Sequence, residues 1–336
     1  MPAIITHDLF AKDLYGETFE TVGGSRDEAE AFLLGNQGPD PLFFAATDPR
    51  YLAFSQVGTT LHRVRPAEVL LAFKQAVAML PAPLRSTGRA YVLGFACHYE
   101  LDRAVHPLTF SQERALCHAG VEGLGPEDHS EVHALIETEM DEFVLTAKRN
   151  ETVASFNPAK AVLKGSDTML AAVSQLYARA VKTALDMDIP DNLFKASVKA
   201  YRRAQHLLYS PAGWKRTALG SLERLVRPHS LLGALSHRAE LRPESAFAND
   251  EHAPWQHPYL EGESTASFWD LYGQARTGAL ATLEALDDDD FDLDAAHGLT
   301  GDLNFYGEPV AAVIVSVETV TPASARPSDD AVESEA

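Results

Sequence analysis

The chain has 336 residues, 46% of them hydrophobic and 23% charged, which is a globular composition long enough for one large domain or two smaller ones. Its formal net charge of −20 disfavours nucleic acid and anionic lipid headgroups as long-range partners. Two cysteines, Cys97 and Cys117, exclude a disulfide-rich scaffold.

Targeting signals are not evident. The segment MPAIITHDLF lacks the basic and long apolar regions of a secretory signal. No window approaches the roughly 18 uninterrupted apolar residues of a membrane span. We therefore expect a cytoplasmic protein with no transmembrane segment.

Helical periodicity with recognisable ends dominates the first half of the chain. A helix in SRDEAEAFLLGNQG is predicted to begin after a Ser25 cap and to stop at Gly35 or Gly38. The next helix begins with Pro66, in PAEVLLAFKQAVAML. A third, STGRAYVLGFACHYELDRAVHP, is predicted to end before Pro107.

The segment PEDHSEVHALIETEMDEFVLTAKRN predicts a fourth helix, because its acidic residues come early and its basic residues late, as the helix dipole favours. Further helices are predicted at roughly 166–187, 191–208, 213–225 and 265–286. We therefore expect an all-α, or mainly α, multi-helix bundle forming a single domain over residues 1–322.

Three C-terminal segments are less regular. The β-branched segment 309–322 is compatible with a strand or an edge helix. The run DDDDFDLD at 287–294 departs from the EF-hand template, because Leu293 occupies the position of the required glycine, and it predicts a solvated acidic loop. Residues 323–336 are predicted to be a disordered acidic tail.

One helix carries an unusual polar stripe. His98, Asp102 and His106 are spaced four residues apart and therefore share one helix face. The two histidines lie about 12 Å apart along the helix axis, which is too far for one ion to bind both. Because the Asp102 carboxylate lies between them and could bridge metals, the stripe indicates two or more ions.

A second helix repeats the pattern with His133 and Glu137, one turn apart. Together with His106 they form a three-ligand set typical of catalytic zinc. His98 and Asp102 need partners from elsewhere, and Asp40 and His62 are the upstream candidates. The alternative is that these residues only form helix-stabilising pairs or a polar seam between helices.

The order of these elements resembles the zinc-dependent phospholipase C family. The matching elements are His7, GPDP with Asp40, His62, the HxxxDxxxH stripe and HxxxE, all between about residues 5 and 142. That family has a mainly helical fold, which it shares with zinc-dependent single-strand nucleases. The resemblance implies a metal cluster between helices, with its ligands within residues 1–142 and a helical remainder at 150–322.

The resemblance also implies which residues share an ion. Asp40, His62, His98 and Asp102 would form one zinc site, and His106, His133 and Glu137 a second. His7 with Asp102 would contribute to a third site, where secreted members of the family use a processed N-terminal tryptophan. This chain begins Met-Pro and its first tryptophan is Trp214, so we expect two zinc ions and leave open whether the third is weakly held, takes another ligand or is absent.

The expected activity is hydrolysis of phosphodiester bonds, with metal-activated hydroxide attacking phosphorus and a phospholipase C-like choice of bond. Asp40 is the predicted catalytic carboxylate, which would orient the water or accept its proton. The expected substrate is a phospholipid headgroup ester or a small soluble phosphodiester. The alternatives are a nuclease of the same fold, which the net charge disfavours, and a non-catalytic metal-stabilised binding protein.

The segment NDEHAPWQHPYL at 249–260 predicts either a lid over the cleft or a loop packed by Trp255. The remaining histidines show no partner spacing and are interpreted as surface or core residues; they are His118, His129, His206, His229, His237 and His297.

Overall fold

Helices account for nearly all regular structure in the computed structural model, which describes residues 3–120, 124–215, 217 and 231–310. The α-helices are α1 Ile4–Val22, α2 Arg26–Gly35, α3 Val57–Arg63, α4 Pro66–Ala78, α5 Arg85–Cys117, α6 His129–Arg149, α7 Pro158–Ala161, α8 Asp167–Leu185, α9 Leu193–Leu208, α10 Leu231–Ala234, α11 Phe268–Asp287 and α12 Leu293–Thr300. Short 3-10 helices span Asp40–Thr47, Leu52–Phe54, Ala82–Leu84 and Pro126–Asp128. The predicted mainly α class is confirmed.

Strand structure within these ranges is confined to one small hairpin. Strand β1, Trp255–Gln256, pairs antiparallel with β2, Glu263–Ser264, and Trp255 lies opposite Ser264. None of the helices in the described ranges has the length and apolar character needed to cross a membrane.

The long helix α5 is the centre of the fold. Its 33 residues extend roughly 50 Å, and α1, α2, α4, α6, α8 and α11 all pack against it. The α2 contact is especially close, because a Cβ added to Gly94 would lie 2.1 Å from the carbonyl oxygen of Phe32. The middle of α5, including Tyr91, Phe95 and Tyr99, is completely buried, so the polar stripe on this helix lies inside the protein.

The predicted end of this helix before Pro107 is wrong, because α5 continues through Pro107 to Cys117. Proline lacks the N–H that would donate to the carbonyl of Arg103. The chain after α12 packs over this turn: a Cβ added to Gly307 would lie 2.7 Å from Pro107 Cγ and 3.0 Å from the Arg103 oxygen. Tertiary packing therefore sustains the helix past a residue that usually ends one.

Helix α1 forms over a segment for which the periodicity predicts no helix. Its residues Ile4 to Ala11 are all buried, so the segment lacks the alternation of apolar and polar faces that marks an amphipathic helix. The predicted helix starts at Ser25 and Pro66 are confirmed: Ser25 makes a capping box for α2, and Pro66 opens α4.

The acidic loop is confirmed for residues 288–292, where four exposed aspartates surround the buried Phe291 between α11 and α12. Residue 287 ends α11, and residues 293 and 294 begin α12. Most of the predicted helix 213–225, most of segment 309–322 and the whole tail 323–336 lie outside the described residues.

Candidate metal centre

Five separate segments bring polar side chains to one cleft of about 280 Å³. Helix α1 supplies His7, the 3-10 helix Asp40–Thr47 supplies its first residue, and α3 supplies His62. Helices α5 and α6 supply the two sequence-predicted stripes. The residues that line the cleft are His7, Asp40, Phe43, His62, Asp102, His106, Phe110, Glu113, His129, Ser130, His133, Glu137 and Tyr306.

All eight sequence-predicted site residues lie in one connected cluster. Seven of them line the cleft, and the eighth, His98, lies behind Asp102 and is completely buried. Buried imidazoles and carboxylates are costly unless charges and hydrogen bonds compensate each other. This cluster must therefore be balanced internally, by protons or by a cation.

The Asp102 carboxylate is the centre of the cluster. Its Oδ1 lies 3.1 Å from His7 Nε2, and its Oδ2 lies 3.1 Å from His98 Nε2. The same Oδ2 lies 3.7 Å from both His62 Nε2 and His106 Nδ1. One carboxylate thus contacts four imidazoles, an arrangement that allows its two oxygens to serve different ions.

Two overlapping sets of potential ligands lie at one end of the stripe. One consists of His62, His98 and Asp102, and the other of His7, Asp40 and His98; within each set the ligand atoms lie within 4.8 Å of one another. His62 Nε2 is 3.1 Å from Asp40 Oδ1. The structure therefore brings together the four residues expected to share one ion, and it places His7 beside them.

The second predicted set lies one turn further along α5. His106, His133 and Glu137 have ligand atoms within 4.8 Å of one another. Glu137 Oε1 is 3.2 Å from His133 Nε2 and 3.6 Å from His106 Nε2. This set matches the combination expected from the sequence, with both imidazoles directed at one carboxylate.

Hydrogen bonds fix which nitrogen of each imidazole faces the cluster. Main-chain carbonyls accept from three of the rings: Gly58 from His62 Nδ1 at 2.8 Å, Asn36 from His98 Nδ1 at 3.1 Å, and Phe305 from His106 Nδ1 at 2.9 Å. A carbonyl can only accept, so each Nδ1 carries a hydrogen. In the neutral ring the Nε2 lone pair then points to the carboxylates, as in histidine metal ligands.

His7 is held differently from the other imidazoles. Its Nδ1 lies 3.2 Å from His98 Nδ1, and the two ring centroids are 4.3 Å apart. Because no carbonyl in the described part of the chain binds this Nδ1, hydrogen bonding does not direct the Nε2 lone pair of His7 to a metal. The third ion therefore has less structural support than the other two.

The pKa shifts in the cluster follow from burial and mutual charge. Burial alone would raise the pKa of Asp102, but neighbouring imidazoles hold it far below the ordinary value. Burial lowers the pKa of His133, yet the charge of Glu137 and the hydrogen bond to Glu113 outweigh it and raise the pKa to about 9. For His98 burial dominates and lowers the pKa, so this ring is neutral.

The chemistry of the cluster fits a zinc-like cation. Imidazole nitrogen and carboxylate oxygen are its common ligands. The buried His98 Nε2 makes no hydrogen bond within the described residues, although it lies 3.1 Å from Asp102 Oδ2. A cation between a lone pair and a carboxylate oxygen would satisfy both, whereas a close contact without a hydrogen bond leaves the nitrogen uncompensated.

Sequence reasoning missed six residues that line this cleft, and two of them, Glu113 and His129, form an ion pair. Glu113 Oε2 accepts from His133 Nδ1 at 2.8 Å, and its Oε1 accepts from His129 Nδ1 at 2.5 Å. Glu113 lies seven residues beyond His106 and thus on the same face of α5, but the predicted stop at Pro107 excluded it. His129 precedes His133 by four residues, so the spacing of four that indicates the two stripes also marks His129.

The segment 249–260 packs against neighbouring loops and α5 rather than against the candidate metal ligands. Trp255 Nε1 donates to the carbonyl of Ala266, and Asn249 bonds the same carbonyl. Tyr259 packs on Phe110 at the outer end of the cleft, with ring centroids 6.1 Å apart. No residue of 249–260 lines the cleft as described, so these contacts favour the packed-loop alternative over a lid.

The other histidines divide into three kinds. The interpretation of His129 as an unpartnered residue is wrong, because Glu113 binds it. His237 Nε2 bonds the buried Asp141 at 2.9 Å, whereas His118 and His206 are exposed and His297 is half-buried beside Asp302. His229 lies outside the described residues.

Comparison of the chain with protein-family models, with curated proteins and with solved structures finds no match.

Proposed function

We propose that this chain is a zinc-dependent hydrolase of phosphodiester bonds with a phospholipase C-like choice of bond. The observation that carries the proposal is the cluster itself. Three sets of imidazole and carboxylate ligands lie at one cleft, two of them sharing His98, and Asp102 contacts His106 of the third set at 3.7 Å. Multinuclear centres of this kind suit in-line displacement at phosphorus, where the attacking and the leaving oxygen both need charge stabilisation.

The residues that would hold the metal are those of the two best-supported sets. Asp40, His62, His98 and Asp102 would hold one zinc ion, and His106, His133 and Glu137 a second. The proposal leaves open whether a third ion binds at His7 and Asp102. When bound, zinc lowers the pKa of water and polarises a phosphoryl oxygen.

The chain's own side chains supply the remaining functions. Asp40 lines the cleft and is 4% exposed, so its carboxylate can orient a water molecule or accept its proton. This role competes with ligation by the same carboxylate. Phe43, Phe110 and Tyr306 form apolar walls that contact the substrate and limit the entry of water.

The proposed substrate is a phospholipid headgroup ester or a small soluble phosphodiester, with cleavage on the glycerol side of the phosphate in the lipid case. A nuclease of the same fold is the main alternative, and the net charge of −20 disfavours it. Both cysteines are unpaired, as is usual in the reducing cytoplasm, which we propose as the location.

The test is hydrolysis of a phosphorylcholine ester and of single-stranded DNA by the zinc-loaded protein, compared with Asp40→Asn. We expect turnover of the ester and a loss of about 100-fold or more in kcat for Asp40→Asn, the usual contribution of a positioned acid–base group. Asp48→Asn is the matched control, because Asp48 caps the same 3-10 helix but is paired with the exposed Arg50.

The outcomes separate the three candidate functions. Cleavage of DNA but not of the ester would favour the nuclease. A protein that retains zinc and hydrolyses neither substrate would contradict hydrolysis and favour a metal-stabilised binding protein.

A further inference from the structure

A histidine beside the metal cluster belongs to none of the ligand sets. His129 begins α6 and lines the same cleft as the candidate ligands. The ligand sets found among the described residues do not include it. Its side chain is 39% exposed, in contrast to the 12% of His133 one turn later. It is therefore placed where substrate can reach it.

A buried carboxylate fixes the orientation of this imidazole. Glu113 is 6% exposed, and its Oε1 accepts from His129 Nδ1 at 2.5 Å. The other oxygen, Oε2, accepts from His133 Nδ1, so Glu113 fixes the orientation of two imidazoles of α6. Within the described part of the chain, no residue forms a hydrogen bond or ion pair with His129 Nε2.

A carboxylate–imidazole pair of this kind has a known chemical use. The carboxylate orients the ring and stabilises its protonated form, and the opposite nitrogen then exchanges a proton with a reacting oxygen. The nearby His118 ring, 6.3 Å from His129 between centroids, does not line the cleft and donates Nδ1 to the Arg114 carbonyl. It therefore lacks both features.

The geometry points to His129 as the acid that protonates the leaving group in phosphodiester hydrolysis, an inference that rests on the proposed function. Water bonds to phosphorus and gives one proton to Asp40. As the bond from phosphorus to the leaving oxygen breaks, that oxygen keeps the electron pair and takes the proton from His129 Nε2. The ring is left neutral, with Nδ1–H on Glu113. Solvent then returns the proton to His129 and removes the one on Asp40.

Leaving-group dependence tests this role directly. 4-Nitrophenolate leaves without protonation, whereas an alkoxide requires it, so a missing acid slows only the second reaction. We expect His129→Gln to reduce kcat on a glycerol ester of phosphorylcholine by about 100-fold and to change kcat on the 4-nitrophenyl ester by less than about threefold. His118→Gln is the matched control and should leave both rates unchanged.

Each outcome decides the proposal. Equal losses on both esters in His129→Gln, or no loss on either, would overturn the acid role while leaving the hydrolase intact. A zinc-loaded wild type that hydrolyses neither ester would overturn the proposed function and this inference with it. Zinc content measured on each variant shows whether a lost rate reflects lost metal, and His129→Asn replaces His129→Gln if the latter fails to fold.

Discussion

Asp102 shows how a single residue can organise a site. Its carboxylate contacts His7 and His98 at 3.1 Å and two further imidazoles at 3.7 Å, and it is 5% exposed. A buried anion needs compensating positive charge. Without a metal, protons on the surrounding rings provide that charge; with one, the rings must lose protons before they can bind it.

The protonation of His133 gives a prediction for the metal-free protein. Its pKa rises from 6.5 to about 9 on folding, so protonated His133 stabilises the fold fully below pH 6.5, and this stabilisation is lost as pH rises through about 9. The contribution is at most about 3 kcal/mol. We expect metal-free wild type to lose stability relative to His133→Gln between pH 6.5 and 9, as measured by urea denaturation.

The control for that measurement is His118→Gln, whose ring is exposed. The free energy of unfolding of this variant should change with pH by the same amount as that of wild type over the same pH window. If His133→Gln also runs parallel to wild type, His133 is not a charged partner of Glu137 in the folded protein.

At the scale of elements, the link between α1 and α6 determines where His7 lies. Helix α1 has no capping side chain from its own N-cap residue. The buried Asp141 of α6 accepts instead from Ile5 N at 3.0 Å and from Thr6 N at 2.7 Å. A carboxylate at a helix N-terminus satisfies unpaired N–H groups and complements the helix dipole. Asp141 thereby fixes the turn that carries His7 to the helix that carries Glu137.

This link predicts a local effect of Asp141→Asn. We expect amide hydrogen exchange to accelerate over residues 4–8 and the free energy of unfolding to fall by about 3 kcal/mol, because a buried charge-assisted hydrogen-bond network is broken. Glu142→Gln is a matched control on the same helix, since Glu142 binds the backbone of Arg238 and the side chain of Arg242. Its effect should be confined to the segment near residue 240; equal exchange at α1 in both variants would contradict the role of Asp141.

The same scale explains how much could be predicted from the sequence. The starts of α2 and α4 follow local rules, and the five residues of the two polar stripes follow from a spacing of four on a helix. Asp40 and His62 were only upstream candidates, and His7 was implied by the family resemblance alone.

Helix α1 could not be predicted, because its first half, residues 4–11, is buried on all sides. Glu113 could not be identified as a site residue, because α5 continues past Pro107. Tertiary packing sustains the helix there, and no local sequence rule describes that packing.

At the scale of the whole molecule, the candidate ligands come from segments that are up to 130 residues apart, from His7 to Glu137. Helix α5 makes this possible, because it lies at the centre of the fold and presents its stripe to α1, α3 and α6. The chain segment after α12 completes the arrangement: Phe305 N donates to the His62 carbonyl, and the Phe305 carbonyl accepts from His106. Both ligand sets therefore depend on C-terminal residues that contribute no ligand.

The most direct test of the metal cluster is zinc content per chain, measured by inductively coupled plasma mass spectrometry on wild type, His98→Ala and His133→Ala, with His118→Ala as the control. We expect two or three zinc ions in wild type and in the control, and the loss of a different share in each of the other variants, since His98 and His133 belong to different ligand sets. A folded wild type that is free of metal after purification without chelators would contradict the metal cluster, and the stripe of His98, Asp102 and His106 would then be a polar seam between helices.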